Sequence, residues 1–344
     1  MAARTKSHRP LLAAAAALAV LVLAVGGYFF FYLPYVKAQE GQAQATRFLM
    51  DTAVDVSAYG RNAEASVNSV FGEMERLEEV LSRHIPTSEV AKINAQAGEW
   101  VAVSDTTLEV IALGLEIGEL TGGAFDITVG ALVSLWGFGT GDYKVPSEEE
   151  ITAALATVDY RKVEVDKANK RVRIPEGTIL DLGGVAKGYI VDYARQFLLK
   201  QKMQRAIVNA GGDISVIGGR PDGTPWRVGV QNPNDPSQIS WVIPLQNNSV
   251  VTSGDYQRFF IQDGESWHHI LDPRTGYPAR GLKSVTIVAS SAGRADALST
   301  AVFVLGWEKG RELVEKLPGV EAIIVRSDNE VWVSSGLAQS VVTL

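Results

Sequence analysis

The sequence predicts a mixed α+β body preceded by one N-terminal transmembrane helix. Three observations carry this. Residues 11–36 form a run of 26 positions without a charged side chain, behind a leader containing Arg4, Lys6 and Arg9. Beyond it, helical and strand periodicities interleave irregularly, and the strand signals come repeatedly as hairpins. That pattern favours an α+β body over a doubly wound parallel sheet. The G-x-G-x-x-G fingerprint of a dinucleotide-binding parallel fold is also missing.

The uncharged run is long enough for a membrane, since about 20 residues span a bilayer. Tyr28, Tyr32 and Tyr35 lie toward its far end, as an interfacial belt would. Secretory signals have a shorter apolar core of about 7–15 residues, although Ala43-Gln44-Ala45 offers a cleavage pattern. The expected organisation is a basic cytoplasmic leader (1–10), an uncleaved anchor (11–36), a polar tether (37–45) and a body (46–344). The basic leader places the body on the extracytoplasmic side of the inner membrane, the periplasm in a bacterium.

Within the body, 53–58 alternates as a strand. Apolar residues at Val67, Val70, Phe71, Met74, Leu77 and Leu81 predict a helix over 63–81. A second helix, 108–120, is stopped by Gly122-Gly123. Residues 139–147 read as a loop and 148–156 as a short helix, followed by a hairpin over 162–174 turning at Ala168-Asn169. A helix over 189–202 leads to strand 206–208 and the Gly211-Gly212 turn. Strands then follow at 214–217, 226–230, 241–245, 249–252, 258–262 and 284–289. Helices are expected at 295–305 and 309–317, and the last strands at 320–326 and 331–334.

Composition narrows the function. The net charge is −7, and the basic leader makes the body more acidic still, which argues against nucleic acid as a partner. There is no cysteine, which excludes disulfides, thiolate metal sites, a cysteine nucleophile and a lipid-modified N-terminal cysteine.

The chemistry-bearing candidates are few. Asp181-Leu182-Gly183-Gly184-Val185-Ala186-Lys187-Gly188 follows an apolar run and opens a helix, a pattern that brings backbone N–H groups to a phosphate, or else is a plain turn. Asp296 and Thr300 stand four apart on a helix and share a face. They suit Mg²⁺ as hard oxygen ligands, or else the aspartate supports its helix terminus and the threonine packs in the core. His268 and His269 precede an Asp-Pro-x-Thr-Gly turn, and strand alternation lets only one of them point into a given site. Either is a general base or phosphate-orienting group, or a histidine beside a structural turn. Ser253, in Thr252-Ser253-Gly254-Asp255-Tyr256, lacks the Gly-x-Ser-x-Gly elbow and reads as a turn or phosphate donor. Ala124-Phe125-Asp126 after a glycine pair could embrace a planar ligand, or Phe125 is core.

Together these segments resemble the FAD:protein FMN transferase family, often called ApbE. The resemblance rests on Met50-Asp51-Thr52, Gly123-Ala124-Phe125-Asp126, the 181–188 segment, Asn209-Ala210-Gly211-Gly212-Asp213, Thr252–Tyr256, the His268–Pro278 segment and Ala295–Ala301, in the family's order. It implies an α+β fold with largely antiparallel sheets. It also implies Mg²⁺-dependent transfer of FMN from FAD to a threonine of an acceptor protein, with AMP released. By motif, Met50, Ala124, Phe125, Asp126, Asp181, Lys187 and Ile270 are implied as FAD contacts. The Gly184 carbonyl, Asp296 and Thr300 are implied as the Mg²⁺ ligands. In the segment 82–85, where the family often has an aromatic residue, this chain has His84. The proton acceptor is left among His269, His268 and Asp255, in that order. Acceptors would be membrane or extracytoplasmic electron-transfer proteins. An FAD pyrophosphatase and a non-catalytic flavin carrier are the competing readings, and intact metal-ligand candidates argue against the carrier. Mass spectrometry of the membrane-extracted protein is expected to find peptides from before Ala45; a mature N-terminus near residue 46 would exclude the anchor.

Overall fold

The computed structural model describes residues 21–32 and 41–344. The leader, residues 11–20 and 33–36 of the expected span and residues 37–40 of the tether lie outside the described residues. Residues 21–27 are helical and Tyr28–Tyr32 continue as a π-turn. Among the described residues no helix is long and apolar enough to cross a membrane.

The body is built on an eight-stranded sheet, ordered β1-β2-β6-β7-β10-β13-β14-β15. Its strands are β1 (Gln42–Leu49), β2 (Thr52–Tyr59), β6 (Arg205–Ala210), β7 (Asp213–Ile217), β10 (Ser249–Gly254), β13 (Leu282–Ala289), β14 (Glu321–Arg326) and β15 (Val331–Val333). Every neighbouring pair runs antiparallel, as the hairpin signals and the resemblance imply. Gln42–Ala45, expected in the tether, forms the first half of β1. Ala43 and Ala45 pair with Ala58 and Val56, so cleavage at the Ala-x-Ala pattern would remove half of an ordered edge strand.

Helices α1 (Ala63–Leu81), α6 (Gly183–Lys200) and α7 (Ala292–Lys316) cover one face. Phe71, Leu198, Leu298 and Phe303 of these helices share one buried core with Val54, Val56 and Ala58 of β2. The other face carries a second sheet, β16 (Val342–Thr343), β9 (Asp235–Leu245) and β8 (Trp226–Asn232). There Val216, Val250, Val288 and Ile323 pack on Val228, Trp241 and Ile243. Burial on both faces explains why β13 has six consecutive buried residues, Ser284 to Ala289. Smaller elements complete the fold: α2 (Glu89–Ala95), α3 (Asp105–Leu120), α4 (Gly130–Leu135), α5 (Glu148–Leu155), the sheet of β3 (Val101–Ala102), β5 (Arg171–Arg173) and β4 (Glu164–Asp166), and the hairpin of β11 (Phe259–Gln262) and β12 (Glu265–His268).

Two elements differ instructively from the sequence reading. Helix α6 begins at Gly183, not near 189. The two glycines have low helix propensity, yet they occupy its first turn. Asp181 Oδ1 accepts the Gly183 N–H at 2.8 Å and helps to start the helix there. The two helices expected over 295–317 run as α7, broken at Gly306 (φ 78°, ψ −172°).

The N-terminus of α7 is fixed by α6. Asp192 of α6 accepts hydrogen bonds from the Ala292 and Gly293 N–H groups (2.7 and 2.9 Å) and from the Ser291 hydroxyl (2.6 Å). At Gly188 the two helices nearly touch. A Cβ there would lie 2.4 Å from the Ala292 carbonyl oxygen and 2.7 Å from Asp296 Cβ. Because backbone cannot yield as a flexible side chain can, Gly188→Ala is expected to cost about 1–3 kcal/mol or more in urea unfolding. Gly72→Ala, mid-helix in α1 with nothing within 4 Å, should instead gain up to about 1 kcal/mol. Equal stability of the two variants would contradict the packing described.

Candidate active-site cleft

One cleft of about 330 Å³ opens where the first turn of α6, the start of α7 and several strand ends meet. That volume is within the usual range for ligand pockets. Met50, His84, Ala124, Phe125, Asp126, Asp181, Gly184, Lys187, His269, Ile270, Asp296 and Thr300 all line it, together with Ser253. His268 and Asp255 do not.

Two hairpin turns approach from the sheet. Leu49 pairs with Thr52, so Met50-Asp51 is a two-residue turn. Both residues have positive φ (52° and 57°), the geometry of a type I′ turn, which normally selects Asn or Gly. Beside it the β6–β7 turn carries Gly211 (φ 60°), where a Cβ would strike Thr52 Oγ1 at 2.3 Å.

Helix α6 brings its first turn to the cleft, an end with unsatisfied N–H groups and the positive pole of the helix dipole. Lys187, one turn in, pairs with Asp213 (Nζ–Oδ1 3.0 Å). Burial alone would lower the lysine pKa. Asp213 and Asp296 outweigh it and hold the ammonium above its usual value. Asp213 is 1% exposed, burial pushes its carboxyl upward against Lys187, and its Oδ2 has no hydrogen-bond partner. Asp296 accepts the Gly188 N–H at 3.0 Å. Its pKa is pushed up to about 8 by burial and then by the Asp213 charge. In a regular helix the Gly188 N–H would serve the Gly184 carbonyl, so that carbonyl's donor is engaged with the aspartate. A Cβ on Gly184 would lie 3.7 Å from Thr300 Oγ1. The Gly184 carbonyl, Asp296 and Thr300 therefore gather at the α6–α7 crossing, beside a crowded, incompletely paired pair of carboxylates. That is a set of hard oxygens suited to a small divalent cation. Among the described residues no three His, Asp or Glu side chains converge, so a cation would complete its shell with ligand oxygens or water.

Phe125 lies against Gly184, 3.0 Å from where a Cβ would be. The Asp126 carboxylate is already occupied: it accepts from the Thr128 N–H (2.7 Å), the Thr128 hydroxyl (2.6 Å) and the Tyr160 N–H (2.9 Å). It shapes the cleft wall by bracing its own loop. Asp181 pairs through Oδ2 with Arg83 Nε at 3.1 Å. Arg83 was not foreseen. It is 8% exposed at the side chain, lines the cleft, and donates to the Gly130 carbonyl and Ser134 hydroxyl. Asp213, quoted only as the end of a motif, was also missed; a charged residue closing a glycine turn was its one sequence signal. His84 is exposed at the rim, its ring 3.1 Å from where a Gly139 Cβ would be. Ser253 Oγ bonds Ser299 Oγ at 2.7 Å.

The histidine pair divides as strand alternation predicts. His268 is 3% exposed; Nε2 donates to the Ala279 carbonyl at 2.7 Å and Nδ1 accepts the Ile270 N–H at 3.3 Å. With both nitrogens in use it pins the chain and is no proton acceptor for the cleft. His269 lines the cleft; Nδ1–H donates to the Arg258 carbonyl at 3.2 Å, which leaves Nε2 as the free acceptor. Burial, and then Arg258, push its pKa down to about 3, so the ring is neutral near pH 7. Asp255 sits outside the cleft beyond β10, its pKa pushed up to about 6 by burial against Lys283.

A family model described as the ApbE family matches residues 50–324. The FAD:protein FMN transferase of Treponema pallidum is 35% identical over 327 residues, covering 89% of this chain and 90% of that protein. The crystal structure of the ApbE protein from Thermotoga maritima superposes with a TM-score of 0.83 at 39% identity, over 87% of this chain and 99% of that one. The apo flavinyl transferase ApbE of Pseudomonas stutzeri gives 0.79 at 31% identity, over 88% and 97%.

The structural role of His268 has a pH signature. Burial and then Arg280, against the bond to Ala279, hold its pKa down at about 4, against an ordinary value of about 6.5. Between those values the unfolded chain binds a proton that the native protein refuses, so this stability is complete above pH 6.5 and lost as pH falls toward 4. His268→Gln lacks this linkage. In urea unfolding the wild type's stability relative to His268→Gln should fall between pH 7 and 4.5. A constant difference would mean that His268 is not held neutral.

Proposed function

The chain belongs to the ApbE family and is a transferase, and from that premise we propose that it moves FMN from FAD to a threonine hydroxyl of an acceptor protein. The observation that carries this is the convergence of the FAD and metal candidates, scattered from Met50 to Thr300 in the chain, on one cleft.

In the proposed reaction the threonine oxygen attacks the FMN phosphorus of FAD. A new P–O bond forms, the pyrophosphate P–O bond breaks, and AMP leaves. Lys187 and the first turn of α6 meet the pyrophosphate charge. Arg258, at the mouth beside His269, adds a second cation. His269 Nε2, its tautomer set by the Nδ1–H bond to Arg258, takes the threonine proton, and the arriving phosphate charge favours the protonated ring. Gly184, Asp296 and Thr300 would hold Mg²⁺, which when bound neutralises charge on the transferring phosphoryl group. Met50, Ala124 and Phe125 would border the flavin. No nucleophile is needed from this chain, in keeping with the absent serine elbow.

The single-pass anchor over 11–36, with the body on the periplasmic side of the inner membrane, is part of the same proposal. It is supported by the uncharged run and basic leader, and acceptors would be membrane or extracytoplasmic electron-transfer proteins.

The test is to incubate the protein with FAD, Mg²⁺ and a candidate acceptor, and to measure acceptor mass and released AMP. FMN gained by the acceptor supports transfer; AMP and free FMN alone would make the protein a pyrophosphatase. Asp296→Asn should keep the fold and lower transfer by orders of magnitude at low Mg²⁺. His269→Asn should hold FAD affinity within about a few-fold and lose transfer by roughly 10²–10⁴-fold. Normal transfer by either variant would remove that residue from its role.

A further inference from the structure

Strand β11 leaves the mouth of the cleft with one edge unpaired. Arg258, the residue before it, lines the cleft, and its carbonyl accepts both the His269 N–H (3.0 Å) and the His269 ring Nδ1–H. β11 pairs only with β12. They are joined by the two-residue turn Asp263-Gly264, with positive φ at both positions (53° and 81°). In such a hairpin the closing pair, Gln262 and Glu265, exchanges hydrogen bonds, as does every second pair after it. The Phe260–Trp267 pair is therefore bonded, and the N–H and C=O groups of Phe259 and Ile261 point away from β12. Among the described residues no other element's backbone bonds to them.

The side chains follow the same alternation. Phe260 turns inward and stacks on Tyr143, ring centroids 5.2 Å apart and 14° from parallel. Phe259 and Ile261 stand out at 45% and 67% exposure. Proteins commonly blunt such an edge with lysine, proline or a bulge; Phe-Phe-Ile-Gln has none of these. Ile261 is three residues beyond Arg258, about 10 Å at roughly 3.3 Å per residue.

This inference rests on the transfer reading, in which an acceptor threonine must enter beside His269. We propose that the acceptor polypeptide binds as an extended strand on the outer edge of β11. Alternate apolar side chains would cover Phe259 and Ile261, and the bound strand would carry its threonine past Arg258 to His269. Main-chain bonds supply affinity in this mode and the alternate side chains supply selectivity. The fit is to a flexible, partly apolar segment and not to a folded surface.

The probe is a library of short peptides with one fixed central threonine, incubated with the detergent-solubilised full-length protein, FAD and Mg²⁺. Modified peptides are read by mass. The expected product set has apolar residues at alternate positions on one side of the threonine. Ile261→Pro removes an outward N–H without touching the bonds to β12. It should lower modification by roughly tenfold, the worth of one or two hydrogen bonds, with FAD affinity within about twofold of wild type. Ile261→Lys keeps the backbone edge, guards against a folding defect in the proline variant, and should also depress modification of the selected apolar peptides. Unchanged modification in both variants, or products without alternation, overturns the docking mode while leaving transfer intact. If the wild type modifies no peptide and releases only FMN and AMP, the transfer reading falls and the docking mode with it.

Discussion

The cleft depends on one backbone contact, the approach of α6 to α7 at Gly188. Only a residue without a Cβ lets the Ala292 carbonyl come so near. The approach sets Gly184 and Lys187 on one helix against Asp296 and Thr300 on the other. Asp192 then ties the start of α7 back to α6 with three hydrogen bonds. Helices so joined cannot slide by a residue without losing both the cap and the Gly188–Asp296 bond. The spacing of the reactive groups is thus a property of the core and not of flexible loops.

Charge is sorted along the cleft. Asp213 and Asp296 lie deepest, with Lys187 between them and the α6 terminus. Arg258, exposed at the mouth, stands further out, while Arg83 is held in a nearly buried pair with Asp181. Burial first, and at Asp296 then the Asp213 charge, raise both carboxyl pKa values, and Lys187 only partly offsets this. Arg258 is the cation placed to meet an anion entering from solvent. A ligand with phosphates would bridge the two regions, each relieving what the other lacks.

Much of this was legible in sequence where the signal is local. The periodicity of α1 gave both its ends, Ala63 and Leu81, and the hairpin signals correctly implied antiparallel sheets. The quoted motifs marked most of the residues that line the cleft, though not Arg258 or the wall of Val129, Val133 and Phe138. What stayed hidden depends on partners distant in the chain. Gln42–Ala45 is polar and looks like tether until β2 pairs with it. Arg83 reads as a surface charge until Asp181, Gly130 and Ser134 close around it. His268 and His269 are alike in sequence; the Ala279 carbonyl makes one structural and leaves the other free. The start of α6 was placed late because two glycines seldom open a helix, and Asp181 supplies the missing support.

The β1–β2 turn carries a wider consequence. Asn-Gly would adopt its left-handed geometry with little strain, whereas Met50-Asp51 holds it at some cost, of order 1 kcal/mol or more per strained residue. Breeding this protein for heat resistance would therefore be drawn to these two positions, where stability is easily gained. It would also replace a side chain that lines the cleft. The hairpin tip is where durability and recognition compete for the same two residues.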